Sequence, residues 1–176
     1  NVDDAMTLDF KNEGDLIYLI GENKNDISSS EYLVHEHKVD LSPAPHFDLK
    51  EEAFIQNTIT NLIAENKIKS AHDISEGGLF IAVLESAMVR NIGFEINTDS
   101  TIRKDAFLFG EAQSRVIVSI DAVTQNAFEI YLNEHKVPYQ ALGRINGQKI
   151  IIDGELYGNI DEYKTLYDTA IEKYFD

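Results

Sequence analysis

Apolar side chains recur along this chain first at every second residue and then at every third or fourth. The switches between these two periods divide it into elements. Met6 to Phe10 and Leu16 to Ile20 read as strands, separated by the turn chemistry of Asn12-Glu13-Gly14-Asp15. Gly21 to Ser30 is polar and reads as a loop. Residues 31–47, with Pro43, Pro45 and three histidines, read as irregular chain. A helix is predicted from Leu49 to Asn66, where Phe54, Ile55, Ile59, Leu62 and Ile63 fall at helical spacing. Asp48 is placed to cap it, and Glu51 three residues on completes a capping-box pattern. After a short run from Ile68 to Ile74, Gly77 to Val89 is apolar almost all round, which predicts a helix buried on most of its surface.

Phe94 to Asn97 and Arg115 to Ile120 read as strands, the second favoured by its β-branched residues. Asp121 opens a helix to about His135. Tyr139 to Arg144 and Lys149 to Ile152 read as a hairpin across Asn146-Gly147. Asn159 and Glu162 open a last helix to about Phe175. From residue 68 the order is β-α-β twice, with a terminal strand and helix added. That predicts an α+β (α/β) layered fold, a mixed sheet with helices packed on it and partly ferredoxin-like. With no repeat and no low-complexity linker, residues 1–176 read as a single domain.

Composition narrows the function classes. The 176 residues carry 31 acidic against 15 basic side chains, a formal net charge of -16. Nucleic acid and anionic membrane are therefore not expected partners, since both need a basic face. The acidic excess reads as a solvated exterior. A site for a phosphorylated ligand would have to be local, built from backbone N–H groups and a few cations. There are no cysteines, so no disulfide framework and no thiolate metal site is expected, which suits a cytoplasmic setting. No apolar run approaches the ~18 residues of a membrane span, and no signal peptide is visible. The opening NVDDAMTLDF is strand-like within a few residues, which suggests a piece cut from a longer protein.

Two short runs carry candidate chemistry. In His72-Asp73-Ile74-Ser75-Glu76-Gly77-Gly78-Leu79, a strand hands over to the buried helix, with Ser75 placed as N-cap. Glycine costs about 1 kcal/mol within a helix relative to alanine, so two at its start imply a close approach by ligand or by chain. Free N–H groups at a helix start suit phosphate, whereas Asp73 and Glu76 suit a cation or neighbouring N–H groups. In Phe109-Gly110-Glu111-Ala112-Gln113-Ser114-Arg115, Arg115 could clamp a phosphate or carboxylate, or pair internally with Glu111 or Asp73. His35, His37 and His46 lack a third ligand at recognisable spacing and read as a flexible surface loop, not a metal site. His135 reads as a dipole contact at a helix C-terminus. No phosphate-binding loop, dinucleotide fingerprint or nucleophile elbow is present.

HDISEGGL (72–79), followed about thirty residues later by LFGEAQSRVIVSI (108–120), resembles the last domain of formylglycinamidine ribonucleotide (FGAM) synthase. MTLDFKNEGDLIYLIG (6–21) and GRINGQKIIIDG (143–154) resemble the edges of that domain, so the likeness spans nearly the whole chain. Aminoimidazole ribonucleotide synthetase, selenophosphate synthetase and hydrogenase maturation proteins share the domain but differ at the helix start. The resemblance implies the C-terminal domain of an ATP-dependent amidotransferase ligase of purine biosynthesis. In that family two N-terminal and two C-terminal half-domains share one chain, and the N-terminal ones hold ATP and magnesium. A glutaminase unit supplies ammonia, ATP activates the formyl amide oxygen, and ammonia displaces the phosphate. The first C-terminal copy resembles S-E-S-Q-E-R-M where this chain has Gly110 to Val116. Ser114 replaces its acidic residue, which points to the second copy, with a structural or degenerate site. The ligand-binding positions implied are His72, Asp73, Ser75, Glu76, Gly77, Gly78, Glu111, Gln113, Ser114 and Arg115, with no catalytic residue and no metal ligand. A selenophosphate- or thiamine-phosphate-type enzyme and a stand-alone phosphometabolite-binding module are the alternatives.

Overall fold

The computed structural model describes residues 5–175. Its strands are β1 (Leu16–Ile20), β2 (Ser70–Asp73), β3 (Phe94–Ile96), β4 (Val116–Ile120), β5 (Tyr139–Ile145), β6 (Lys149–Ile152) and β7 (Glu155–Asn159). They form one 7-stranded mixed sheet in the order β2-β4-β1-β5-β3-β6-β7. Neighbours are antiparallel except β3 and β6, which run parallel. The α-helices are α1 (Glu31–His35), α2 (Leu49–Ala64), α3 (Gly78–Met88), α4 (Lys104–Phe109), α5 (Gln125–Glu134) and α6 (Ile160–Asp168).

Side chains of a strand alternate between faces, and β1 is apolar on both. Ile17 and Leu19 enter one core, Tyr18 and Ile20 the other, and all four are fully buried. The first core is closed by Leu79 and Val83 of α3, Phe107 of α4 and Ile160 of α6. The second is closed by Ile55 and Leu62 of α2 with Phe128 and Leu132 of α5. The α+β layered class expected from the sequence is the one observed.

The ferredoxin-like part is composed differently from the sequence reading. Its two split units are β1-α2-β2 and β4-α5-β5, which give the strand order β2-β4-β1-β5. The β2-α3-β3 connection instead crosses to the far side of β5. The expected β5–β6 hairpin is also corrected, because β3 lies between those strands. The Asn146-Gly147 turn wraps the start of β3: Gly93 N–H donates to the Gly147 carbonyl at 2.7 Å, and Asn146 N–H to the Gly93 carbonyl at 3.0 Å. The tight hairpin is β6–β7, across Asp153 (φ 53°) and Gly154 (φ 77°), both left-handed as a type I′ turn requires.

Met6 to Phe10 is not a strand. Ala71 N–H donates to the Thr7 carbonyl at 3.3 Å, and then Phe10 N–H donates to Ser86 of α3 at 3.0 Å, so the segment leaves the sheet edge after one bond. Asp9 anchors this crossing to Lys11 and Arg90. Burial pushes the Asp9 carboxyl up, but hydrogen bonds from Lys11, Thr7 and Arg90 outweigh it and hold the group well below its ordinary 3.8. Such a group binds fewer protons folded than unfolded, so its stabilisation is complete above the ordinary value and is lost as pH falls below it. The melting temperature should therefore drop between about pH 4 and pH 2. Asp9→Asn should melt lower at neutral pH and lose part of that acid sensitivity. A melting temperature constant over that window, by circular dichroism, would contradict this account of the crossing.

Candidate functional site

Alternation along β2 sends Ser70 and His72 towards α3, and Ala71 and Asp73 towards the α2 side. Ser70 Oγ lies 2.6 Å from Ser119 Oγ in the buried strand pair. His72 Nδ1 is 3.0 Å from the Ala82 carbonyl and 3.2 Å from Ser86 Oγ. A carbonyl only accepts, so that geometry puts the proton on Nδ1. Nε2 lies 3.4 Å from a Glu85 carboxylate oxygen, a contact that attracts only when that nitrogen also carries a proton. His72 thus ties the edge strand to α3.

The ladder runs on through Ile74, whose N–H donates to the Arg115 carbonyl at 3.0 Å. This places the first motif beside the second. Ser75 is not the N-cap: Gly77 is, in the left-handed region (φ 82°), without a side-chain cap of its own. Gly78 is also left-handed (φ 71°), and its N–H donates to the Ser75 carbonyl at 3.1 Å. Two consecutive left-handed residues make the helix entry, a conformation that serine would adopt only with strain. The Gly77 N–H donates to Glu111 Oε1 at 2.9 Å, and the same oxygen accepts the Glu31 N–H at 2.8 Å. A carboxylate of the chain itself therefore sits where the helix would hold a phosphate.

Arg115 does not make the internal ion pair with Glu111 or Asp73. It is 2 % exposed and bonds no carboxylate. Its Nε donates to the Ala112 carbonyl at 2.9 Å, Nη2 to Gly110 at 2.7 Å and Nη1 to Asn23 Oδ1 at 2.6 Å. Burial pulls its pKa down to about 10, against the nearby charges of Glu111 and Asp26, so it remains a cation at neutral pH. Ser114 is left-handed (φ 64°), and its hydroxyl donates to Glu52 Oε2 at 2.7 Å. Gln113 is exposed, with one long 3.5 Å bond to the Glu111 carbonyl.

These positions fall in two places. His72, Asp73, Gln113, Ser114 and Arg115 line a cleft of about 610 Å³ between α2 and β2. Ser75, Glu76, Gly77, Gly78 and Glu111 lie outside it, around the start of α3. The sequence reading did not include Glu52 and Asn23, the partners of Ser114 and Arg115. They are far away in sequence, and no local pattern marks them. Nor did it include Asp26, whose carboxyl burial pushes up, but which is held below its ordinary value by hydrogen bonds from Ser28 (N–H at 2.9 Å, and its side chain) and from the His46 N–H at 3.0 Å.

In the histidine segment, Ser30 caps the short helix α1. His35 faces Glu31 at 2.8 Å and His46 faces Glu51 at 3.4 Å. Glu51 meets His46 and, at 3.1 Å, Lys24 in place of the Asp48 N–H, so only half of the expected capping box forms: Asp48 accepts from Lys50 and Glu51 N–H groups at 2.8 and 3.0 Å. His135 meets the Tyr131 carbonyl of its helix end at 2.8 Å, as its position suggests. Among the described residues no group of three or more His, Cys, Asp or Glu is arranged to hold a metal ion, and no helix is long and apolar enough to cross a membrane.

Comparison with known proteins matches residues 12–153 to the model of the AIR synthase related protein, C-terminal domain. The phosphoribosylformylglycinamidine synthase subunit PurL of Caldanaerobacter subterraneus is 38% identical over 153 residues, covering 87% of this chain and 21% of that protein. Its Methanobrevibacter smithii counterpart is 34% identical over 182 residues, covering 99% of this chain and 25% of that protein. This chain thus spans about a fifth to a quarter of these relatives. Among solved structures, T. maritima PurL complexed with FGAR matches with a TM-score of 0.77 at 13% identity, over 92% of this chain and 30% of that one. Thiamine-monophosphate kinase from Stenotrophomonas maltophilia matches with a TM-score of 0.62 at 20% identity, over 88% and 55%. At these identities the two structures share the fold. With its family model covering most of the sequence, the chain belongs to the AIR synthase related proteins, as a C-terminal domain of that family.

Proposed function

We propose that residues 1–176 are a single domain of an FGAM synthase, the second-copy C-terminal type. The parent enzyme, in the cytoplasm, converts formylglycinamide ribonucleotide, ATP and glutamine to FGAM. The observation that carries this reading is identity of 34 to 38% to synthase subunits several times its length. That favours the synthase over the thiamine-phosphate type, for which the likeness is one of fold at 20% identity.

In this reading the domain supports the enzyme without performing its chemistry. The N-terminal domains of the same chain hold ATP and magnesium, and a glutaminase unit supplies ammonia. T. maritima PurL is known in complexes with ATP, ADP and AMPPCP, and T. maritima PurLQS has been solved as an assembly. The residues present here do not fit a nucleotide phosphate at the start of α3. Glu111 already takes the Gly77 N–H, and Asp73 and Glu76 nearby add like charge. Three of the implied positions then act as scaffold: Glu111 joins α1 to α3, Arg115 holds the 110–115 turn closed, and Ser114 fastens that turn to α2.

Incubating the isolated chain with formylglycinamide ribonucleotide, ATP, magnesium and ammonia should yield no FGAM. A synthase lacking this domain should also be inactive and regain activity when the chain is added back. Turnover by the chain alone, or full activity of the truncated synthase, would overturn the assignment.

A further inference from the structure

We propose that Asn146-Gly147 is a site of spontaneous covalent modification, where the asparagine deamidates through a cyclic imide and the isoaspartate product frees the start of β3 from its turn. This inference does not depend on the synthase reading, and its failure would leave the family assignment untouched.

Asn146 is the one asparagine of this chain that glycine follows. Glycine puts no side chain over its own nitrogen, so the Gly147 nitrogen can reach the Asn146 side-chain carbonyl carbon. The turn lies at the surface, with Gly147 exposed and Asn146 half-buried. Among the described residues no hydrogen bond holds the Asn146 side-chain amide. The attacking nitrogen carries one long bond, to Oε1 of the exposed Glu13 at 3.2 Å.

The step balances within the chain. A bond forms between Gly147 N and Asn146 Cγ while the Cγ–Nδ2 bond breaks. The side-chain nitrogen leaves as ammonia, with the proton that Gly147 N gives up. Water then opens the imide. Cleavage at Cγ leaves aspartate. Cleavage at the backbone carbonyl leaves isoaspartate, in which the main chain runs through Cβ and gains a methylene.

Asp153-Gly154 is the one aspartate–glycine pair of the chain and has the same ring within reach. There the side chain is held. Asp153 Oδ1 accepts the Thr98 N–H at 2.7 Å, and Oδ2 meets the Thr98 hydroxyl and Lys104 Nζ, both at 2.9 Å. Burial pushes this carboxyl up, but the bonds from Thr98 and Lys104 outweigh it and keep the group below its ordinary value. A carboxylate that stays ionised is a poor electrophile, so this turn is protected where the other is not.

The consequence falls on β3. Gly93 N–H donates to the Gly147 carbonyl at 2.7 Å and Asn146 N–H to the Gly93 carbonyl at 3.0 Å. The turn packs so closely that a Cβ on Gly93 would meet the Lys149 carbonyl oxygen and lie 2.6 Å from the Gln148 carbonyl carbon. A methylene added between the two bonds has no room there, so isoaspartate breaks them at the start of a strand whose Phe94 and Ile96 are core. Aspartate leaves the backbone and both bonds intact.

The chain, incubated at mildly alkaline pH and physiological temperature, is mapped by peptide mass spectrometry. The mass gain of an amide-to-acid change should appear at Asn146 before any other asparagine, and faster as pH rises. Isoaspartyl methyltransferase should label residue 146 and leave Asp153 unlabelled. Gly147→Ala, whose added Cβ meets nothing within 4 Å, should convert at least about tenfold more slowly. Asn146→Gln, which would have to close a larger ring, is the second block if that variant fails to fold. The isoaspartate form, isolated by ion exchange, should melt below the parent, whereas Asn146→Asp should match the parent. No conversion at Asn146, faster conversion at another asparagine, or an unchanged rate in Gly147→Ala would overturn the modification. An isoaspartate form as stable as Asn146→Asp would overturn the release of β3.

Discussion

Gly78→Ala should lower the melting temperature by roughly 5–15 °C, although alanine is the better helix former. A plain helix position would gain up to about 1 kcal/mol from the change. Gly78 is not such a position. Its φ is +71°, and a Cβ there would lie 2.7 Å from both Cα and carbonyl carbon of Phe109 and 2.8 Å from the Gly110 oxygen. Holding alanine in the left-handed region costs about 1–2 kcal/mol. Forcing it against backbone adds about 1–3 kcal/mol, since backbone cannot swing aside as a side chain can. The net loss of about 2–4 kcal/mol corresponds to the stated shift for a domain of this size. Gly147→Ala is the control. Gly147 is left-handed too (φ +54°), but nothing lies within 4 Å of its would-be Cβ, so it should lose only the strain. Calorimetry of both variants checks the claim, and a Gly78→Ala protein as stable as the parent would remove the close approach from the account.

Arg115→Lys should destabilise the domain by about 2–4 kcal/mol while keeping the charge. The guanidinium reaches three acceptors in three directions, which a single ammonium cannot do. At least one buried acceptor would be left without its donor, at about 1–3 kcal/mol for each. The Gly110 and Ala112 carbonyls and the Asn23 side chain would separate, freeing the loop after β1 from the turn before β4. Denaturant unfolding measures this directly. An arginine that served a ligand would behave differently: Arg115→Lys would then keep its stability and weaken ligand binding.

The sequence makes the regular elements legible where one force decides them. α2, α3, β1 and β4 follow from strong periodicity, and their limits agree with the structure to within about two residues. It misleads where long-range pairing decides. Asn146-Gly147 is a sound turn signal, but nothing local shows that β3 will slot between β5 and β6. Asp153-Gly154, an equally good signal, marks the true hairpin, and its strand β7 was missed because it carries exposed side chains and Gly158. The six-residue α4 is too short to register a period. At the candidate site, local reasoning located the glycine-rich turn and its neighbour from 109 to 115. It did not anticipate that Glu111 would reach the Gly77 amide or that Arg115 would turn inward, since both contacts depend on how α3 and the 110–115 turn face each other.

The claim on which the rest depends is that the amide at the entrance to α3 is satisfied from within. The most direct measurement is the Gly77 amide resonance of the ¹⁵N-labelled chain during titration with formylglycinamide ribonucleotide, in the parent and in Glu111→Gln. The parent should show no saturable shift at Gly77 or Glu31, and Glu111→Gln should move both resonances before any ligand is added. A saturable, micromolar shift at Gly77 in the parent would mean that a ligand phosphate displaces Glu111, and the supporting-domain account would be wrong.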